Sequence, residues 1–261
     1  MSAPAAPAPA LAVHDLTVAV QGRELVCGLS MQFAPGAFCA ILGRNGTGKT
    51  LTLHTLAGLR SPRRGEVRLA DRPLASLRRR DIARAIGLLT QDSEAGFPAT
   101  VLESVLIARH PHLPLLGWEG TGDLDIAEDA LRQAGLLELA GRGTDTLSGG
   151  EQRRCAIAAL LAQQPRIFLL DEPTNHLDPQ QQREICGLFR RLADGGATVI
   201  ATLHDPTVAA RFADHALLLH GNGRWSGGAA GEVLNAQSLS SLYLAPMEEL
   251  RHGGRKVFVG G

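Results

Sequence analysis

Lysine is almost missing from this chain. Lys49 and Lys256 are the only two, and arginine supplies the remaining positive charge. The bias carries no mechanism of its own, but it singles out Lys49. Cysteine is sparse too: Cys27, Cys39, Cys155 and Cys186 stand far apart with no CxxC pair. That spacing excludes a zinc knuckle or a disulfide framework and leaves four small buried hydrophobes in a reducing compartment. Charge imbalance is absent, with 26 Lys plus Arg against 26 Asp plus Glu, so nothing draws the whole molecule toward nucleic acid or anionic lipid. No apolar run approaches the roughly 20 residues that cross a bilayer; the best, Cys155 to Ala162, stops at eight. Met1 to Ala10 alternates Ala and Pro with neither a basic start nor an apolar block, so residues 1–10 read as a flexible leader and the expected setting is the cytosol.

The 261 residues are 44% hydrophobic, enough for a sizeable core in one or two domains. Three short apolar runs, Phe38 to Leu42, Ile167 to Leu170 and Thr198 to Thr202, lack period-two alternation and are bounded by polar or turn residues. They read as strands buried on both faces of a parallel sheet. Ligands of such sheets sit beyond the carboxyl ends of the strands. Before this core, Leu16, Val18 and Val20 alternate with polar or small residues, Gln21-Gly22-Arg23 turns, and a second stretch runs to Phe33, which predicts an antiparallel hairpin. Between Gly96 and Ala162 the pattern is helical, with a capping box at Thr100 and Glu103. The expectation is a helical subdomain over about 96–162, inserted in a domain spanning 11–261, with a small appendage over about 221–261.

Gly43-Arg44-Asn45-Gly46-Thr47-Gly48-Lys49-Thr50 fits G-x-x-x-x-G-K-[ST] and stands after a buried strand and before a helix, the context that motif requires. Its glycines admit a polyphosphate to the backbone, successive N–H groups form an anion nest, Lys49 adds a cation and Thr50 can offer its hydroxyl to magnesium. A bare glycine-rich turn would need none of this context. Asn45-Gly46-Thr47 also spells a glycosylation acceptor, set aside for want of a secretion signal. Asp171 and Glu172 end the second apolar run. As neighbours in an extended chain they point to opposite sides, so Asp171 can hold the metal while Glu172 polarises an attacking water. Leu147-Ser148-Gly149-Gly150-Glu151-Gln152 opens a further helix, with Ser148 as its cap. One polyphosphate seldom needs two helix termini from distant parts of one chain, so this end reads either as an ordinary Ser-capped helix or as a site serving a partner subunit's nucleotide.

The phosphate loop, Gln91 after the strand Ile86 to Thr90, the Leu147-to-Gln152 segment, Ile167 to Glu172, Asn175-His176-Leu177-Asp178 and His204 together resemble the ATPase subunits of ABC transporters in order and spacing. The resemblance spans roughly Leu11 to Tyr243. It implies an α/β fold: a P-loop NTPase core with a mostly parallel sheet, an N-terminal antiparallel β subdomain and an inserted α-helical subdomain. It also implies two copies that sandwich two ATP molecules with Mg2+. The loop from Gly43 to Thr50 of one copy would face Ser148, Gly149 and Gly150 of the other, with Asp178 across the seam. Gln91 would reach the metal and attacking water, and His204 would touch the terminal phosphate and steady Glu172. Where the family often stacks an aromatic ring on adenine this chain has Val20, which implies weak discrimination of ATP from GTP.

Gly96-Phe97-Pro98-Ala99-Thr100-Val101, Ala108-Arg109-His110-Pro111-His112 and the tail with Gly231-Glu232-Val233-Leu234, Leu239, Tyr243 and Pro246 resemble importers of iron-siderophores, haem and cobalamin. That implies integral permease subunits, indirectly a substrate-binding protein, and a peripheral place on the cytoplasmic membrane face. An exporter motor, or a soluble ABC ATPase acting on nucleic acid or ribosomes, stands as the alternative. The single set of motifs and the lack of a heptad run favour import without nucleic acid. His110 and His112 lack a further ligand for a metal site. The Arg63-Arg64 and Arg78-Arg79-Arg80 clusters read as solvated faces.

Overall fold

The computed structural model describes residues 10–91, 99–114, 117–175 and 177–261. The leader up to residue 9, the Gly96-Phe97-Pro98 part of the segment after Gln91, and His176 lie outside the described residues. The chain opens with β1 (Leu11–Val20) and β2 (Arg23–Phe33), joined at Gln21 and Gly22, whose φ values of 47° and 83° are those of a primed hairpin turn. Then come β3 (Phe38–Gly43), α1 (Lys49–Leu56), β4 (Arg64–Leu69), the two-residue β5 (Arg72–Pro73), α2 (Arg79–Ala85) and β6 (Ile86–Leu89). Helices α3 (Val101–Ile107), α4 (Thr121–Gln133) and α5 (Gly149–Ala162) follow. The core resumes with β7 (Ile167–Leu170), α6 (Pro179–Asp194), β8 (Thr198–Thr202), α7 (Pro206–Phe212), β9 (His215–Gly221) and β10 (Arg224–Ala229). The chain closes with α8 (Ala230–Val233), α9 (Ala236–Tyr243), β11 (Met247–His252) and β12 (Arg255–Gly260).

Two sheets enclose the core. The larger is ordered β10-β9-β3-β8-β7-β6, parallel except for β10 at its edge; the smaller, β2-β1-β4-β5, is antiparallel. Every residue of β3, β7 and β8 is buried, which is why these runs carry no alternation. One face of the larger sheet packs on α5, α6 and the helical segment. The other packs on α1 and the antiparallel strands. The rings of Phe168 on β7 and Phe189 on α6 meet edge to face at 5.8 Å, fixing that helix on the strand that leads to Asp171. Register brings the carboxyl ends together: Ile41 lies beside Thr202, Leu170 beside Ala201, and Leu89 beside Leu170. Gly43, Gln91, Asp171 and His204 therefore leave the sheet along one edge.

The helical segment is built as its caps require. Thr100 and Glu103 form the expected capping box on α3, and α4 begins at Thr121 with Asp123 in its first turn. The stretch 221–261 divides in two. β10 pairs antiparallel with β9 and completes the main sheet, so only α8, α9 and the β11–β12 hairpin stand apart as a C-terminal module. Cys39, Cys155 and Cys186 are buried, whereas Cys27 is half-buried and its thiol donates to Glu24, so it is not the plain core hydrophobe that was expected. Burial pushes Cys39 and Cys186 up to about 12, and the bond to Glu24 raises Cys27, so none of these three is a ready thiolate.

Candidate active site

The phosphate loop begins where β3 ends, and its shape depends on two glycines. A Cβ on Gly43 would fall 2.6 Å from Thr47 Oγ1 and 2.7 Å from the Leu219 carbonyl oxygen, so no side chain fits there. Gly48 takes φ 99° just ahead of α1, a left-handed conformation that turns the loop into the helix. Thr47 ties the loop across, its hydroxyl donating to the Arg44 carbonyl at 2.8 Å. The Lys49 ammonium donates to the carbonyls of Gly43 at 2.9 Å and Arg44 at 3.4 Å. Burial holds this lysine below its ordinary pKa, and the nearby carboxylates of Glu172 and Asp171 offset that only in part. It is a cation short of hydration at the floor of an anion nest, and a phosphate oxygen would replace the water it has lost.

Beyond the strand ends lies a cleft of about 620 Å³, within the range of small-molecule sites. Asn45, Gly46, Gly48, Lys49, Thr50, Gln91, Glu172 and His204 line it, together with Val20, Arg23, Leu25, Leu51 and Asn175. The loop, Gln91, Glu172 and His204 thus converge, and Val20 stands in the cleft wall. Arg44 is exposed on the outside of the loop.

Asp171 and Glu172 diverge for a different reason than strand alternation. β7 stops at Leu170, and Glu172 adopts φ 46°, left-handed and rare for a residue with a long side chain. Thr202 at the end of β8 pins this turn: its hydroxyl accepts the Glu172 N–H at 2.7 Å and donates to Asp171 Oδ1 at 2.8 Å. Among the described residues, the buried Asp171 Oδ2 has no hydrogen-bond donor. A buried carboxylate oxygen left so calls for a cation. Thr50 and Gln91 line the cleft, so with Asp171 they would offer hard oxygen donors, a set that fits magnesium.

Glu172 is buried and both its oxygens are held. Oε1 lies 2.6 Å from His204 Nε2, and Oε2 accepts from the Asn175 amide. Asn175 and Thr202 carry no site role in the sequence pattern. Nor does Arg153, a buried arginine on α5 whose guanidinium donates to the carbonyls of Thr90, Gln91, Pro173, Asp171 and Glu172. One side chain therefore fixes the backbone at both acidic residues and at Gln91. The signal was legible: Arg153 falls on the same helical face as Ile157 and Leu160, where a charge is out of place.

Ser148, Gly149, Gly150 and Asp178 are not part of this cleft among the described residues. Ser148 caps α5 in a full capping box with Glu151, its hydroxyl donating at 2.8 Å to a carboxylate which those bonds hold below its ordinary pKa. Asp178 caps α6 through the N–H groups of Gln180 and Gln181, both at 2.9 Å. Ser148, Gly149 and Asp178 are exposed, and Gly150 half so.

The family model described as ABC transporter matches residues 26–175, from the hairpin through the phosphate loop to Glu172 and Asn175. The chain belongs to the ABC transporter ATPase family. ABC ATPases bind and hydrolyse ATP, and so does this one. A model of an AAA domain, described as a putative AbiEii toxin of a type IV TA system, also matches residues 143–210. As an ABC ATPase the chain is 35% identical over 237 residues to the hemin import ATP-binding protein HmuV of Rhizobium meliloti (strain 1021), covering 88% of this chain and 89% of that protein. It is 37% identical over 231 residues to the ferric enterobactin transport ATP-binding protein FepC of Escherichia coli (strain K12), covering 88% and 85%. Among solved structures, a putative metal-chelate type ABC transporter in an inward-facing conformation superimposes with a TM-score of 0.85 at 28% identity, over 97% of this chain and 98% of that one. Among the described residues no helix is long and apolar enough to cross a membrane, and no group of three His, Cys, Asp or Glu is placed to hold a metal, His110 and His112 included.

Proposed function

We propose that this chain is the motor subunit of an importer for a metal chelate of the hemin, siderophore or cobalamin class. Two copies act head to tail on two ATP molecules, docked on integral permease subunits at the cytoplasmic membrane face and served by a substrate-binding protein. The observation that carries the motor reading is the Glu172 carboxylate, held by His204 and Asn175 at the mouth of the phosphate-loop cleft. The names of the relatives supply the cargo class.

In this reading the N–H groups from Gly43 to Thr50 and the Lys49 ammonium bind the β- and γ-phosphates. Thr50, Gln91 and Asp171 would hold Mg2+, which when bound neutralises phosphate charge. Glu172 orients the attacking water and accepts its proton, and His204 Nε2 fixes the carboxylate while facing the terminal phosphate. The exposed α5 terminus at Ser148, Gly149 and Gly150 stands outside its own cleft and supplies N–H donors to the γ-phosphate bound by the other copy, with Asp178 across the seam. Hydrolysis then needs two copies, because each cleft lacks donors that the other carries.

The test is recovery from membranes. Tagged protein is expected to bring integral subunits with it, and a hemin- or siderophore-loaded binding protein is expected to raise phosphate release in the reconstituted complex. Recovery with ribosomes or DNA instead would overturn the reading.

A further inference from the structure

His204 stands outside regular structure. Between β8, which ends at Thr202, and α7, which starts at Pro206, the chain is irregular, and its fixed points decide where the imidazole sits. Upstream, the Leu203 N–H donates to the Ile41 carbonyl at 3.0 Å. Downstream, Asp205 caps α7 by accepting the Thr207 N–H at 2.7 Å. Neither bond involves the peptide of His204 itself.

The C-terminal module reaches that peptide. The Tyr243 hydroxyl, on the last residue of α9, donates to the His204 carbonyl at 3.2 Å. A second tether lies three residues on: the Phe258 N–H in β12 donates to Thr207 Oγ1 at 3.0 Å, and that hydroxyl points back toward the Phe258 carbonyl at 3.4 Å. Both anchors are rooted, since Phe258 is buried and Tyr243 packs against the main hydrophobic cluster. Tyr243 is the only tyrosine in the chain. Burial, with the Asp205 carboxylate nearby, pushes its hydroxyl up to about 12, so at neutral pH it is a protonated donor.

We propose that Tyr243 is a positioning residue for His204, and that the C-terminal module sets the 204–207 link through Tyr243 and Phe258. The proposal rests on the reading of His204 as part of the hydrolytic machinery. Turning the peptide of residue 204 swings its Cβ and moves Nε2 away from Glu172 Oε1, now 2.6 Å away; small misplacements of such groups lower turnover steeply. Tyr243 and Phe258 do not line the phosphate cleft. The module therefore has a hold on turnover without one on nucleotide binding.

Tyr243→Phe removes the hydroxyl and keeps the ring. It should lower kcat about three- to tenfold, the worth of one hydrogen bond, with KM for ATP within about twofold and Tm within about 2 °C of the parent. In a His204→Ala background, followed by single-turnover hydrolysis with protein in excess, it should cause no further loss. Thr207→Val, which cuts the second tether, should move kcat in the same direction. A kcat equal to the parent's, kcat and KM changing together with a lowered Tm, or the same fold loss in the His204→Ala background would each overturn the proposal. If His204→Ala itself leaves turnover intact, the site reading has failed. If it abolishes turnover while Tyr243→Phe is silent, the tether alone has failed.

Discussion

At the scale of single residues, the site concentrates charge where water is scarce. Lys49 is 6% exposed and held below its ordinary pKa, so its ammonium is a strong partner for a phosphate. Lys49→Ala is expected to weaken ATP binding about 10- to 100-fold, the worth of a charge-assisted bond, as read by nucleotide titration. An unchanged affinity would remove the loop from the binding site. Glu172 differs in kind: its carboxylate is held by His204 and Asn175, and in the proposed mechanism it takes the proton of the attacking water. Glu172→Gln should keep ATP affinity while steady-state phosphate release falls by roughly 10²- to 10⁴-fold, and the trapped ATP-bound dimer should elute early on size exclusion. Lys49 and Glu172 were legible from motif and strand context. Thr202 and Asn175 were not, because their roles arise from a left-handed turn at Glu172 that no local pattern announces.

At the scale of elements, α5 joins the proposed seam to the acidic pair. Its N-terminus carries the exposed Ser148 and Gly149, and one turn on Arg153 enters the core to grip the backbone of Asp171, Glu172 and Gln91. Ser148→Arg would bring bulk and positive charge to the seam. Phosphate release at saturating ATP should drop about tenfold or more, while ATP affinity of the monomer stays unchanged; full activity would exclude a two-copy site. The helical segment has its own clamp. The buried Arg109, part of the stretch that resembles importers, turns inward to Asp123 at 2.8 Å and to the Ala162 carbonyl at 2.7 Å. The bond to Arg109 holds Asp123 below its ordinary pKa. A lowered folded-state pKa adds stability above the unfolded value, near 3.9, that is lost as pH falls through the folded one. Asp123→Asn should therefore cost about 1–3 kcal/mol in urea unfolding at pH 7, and the gap to the parent should narrow only below about pH 4.

At the scale of the whole molecule, the two sheets bring one strand-end edge to the nucleotide, and the helical segment shares a core with one face of the larger sheet. Ile107 on α3 is 68% exposed and Trp118 is 89% exposed, large apolar groups that in the proposed assembly are candidates to meet the permease. Ile107→Asp should abolish recovery of integral subunits with the tagged chain while the isolated protein's ATPase rate stays within about twofold of the parent's, as expected of a surface change. Retained membrane recovery would move the docking face elsewhere. Most of the architecture was readable, because buried parallel strands have an unalternating pattern and their turns carry the chemistry. Gly221 to Ala229 was misjudged as appendage for a related reason: its glycines and small residues hide an edge strand whose pairing with β9 supplies what local propensity lacks.

The sequence by itself determined the family, the phosphate loop, the acidic pair and the order of the elements, because each depends on residue types at short fixed spacings. Tertiary structure decided what spacing cannot encode. It placed His204 and Asn175 on the two oxygens of Glu172 and Thr202 between both acidic residues. It turned Arg153 inward, and it brought the sole tyrosine from the far end of the chain onto the peptide of His204. Those contacts join residues up to 63 positions apart or on separate strands, and only packing the sheet against its helices brings them within hydrogen-bond reach.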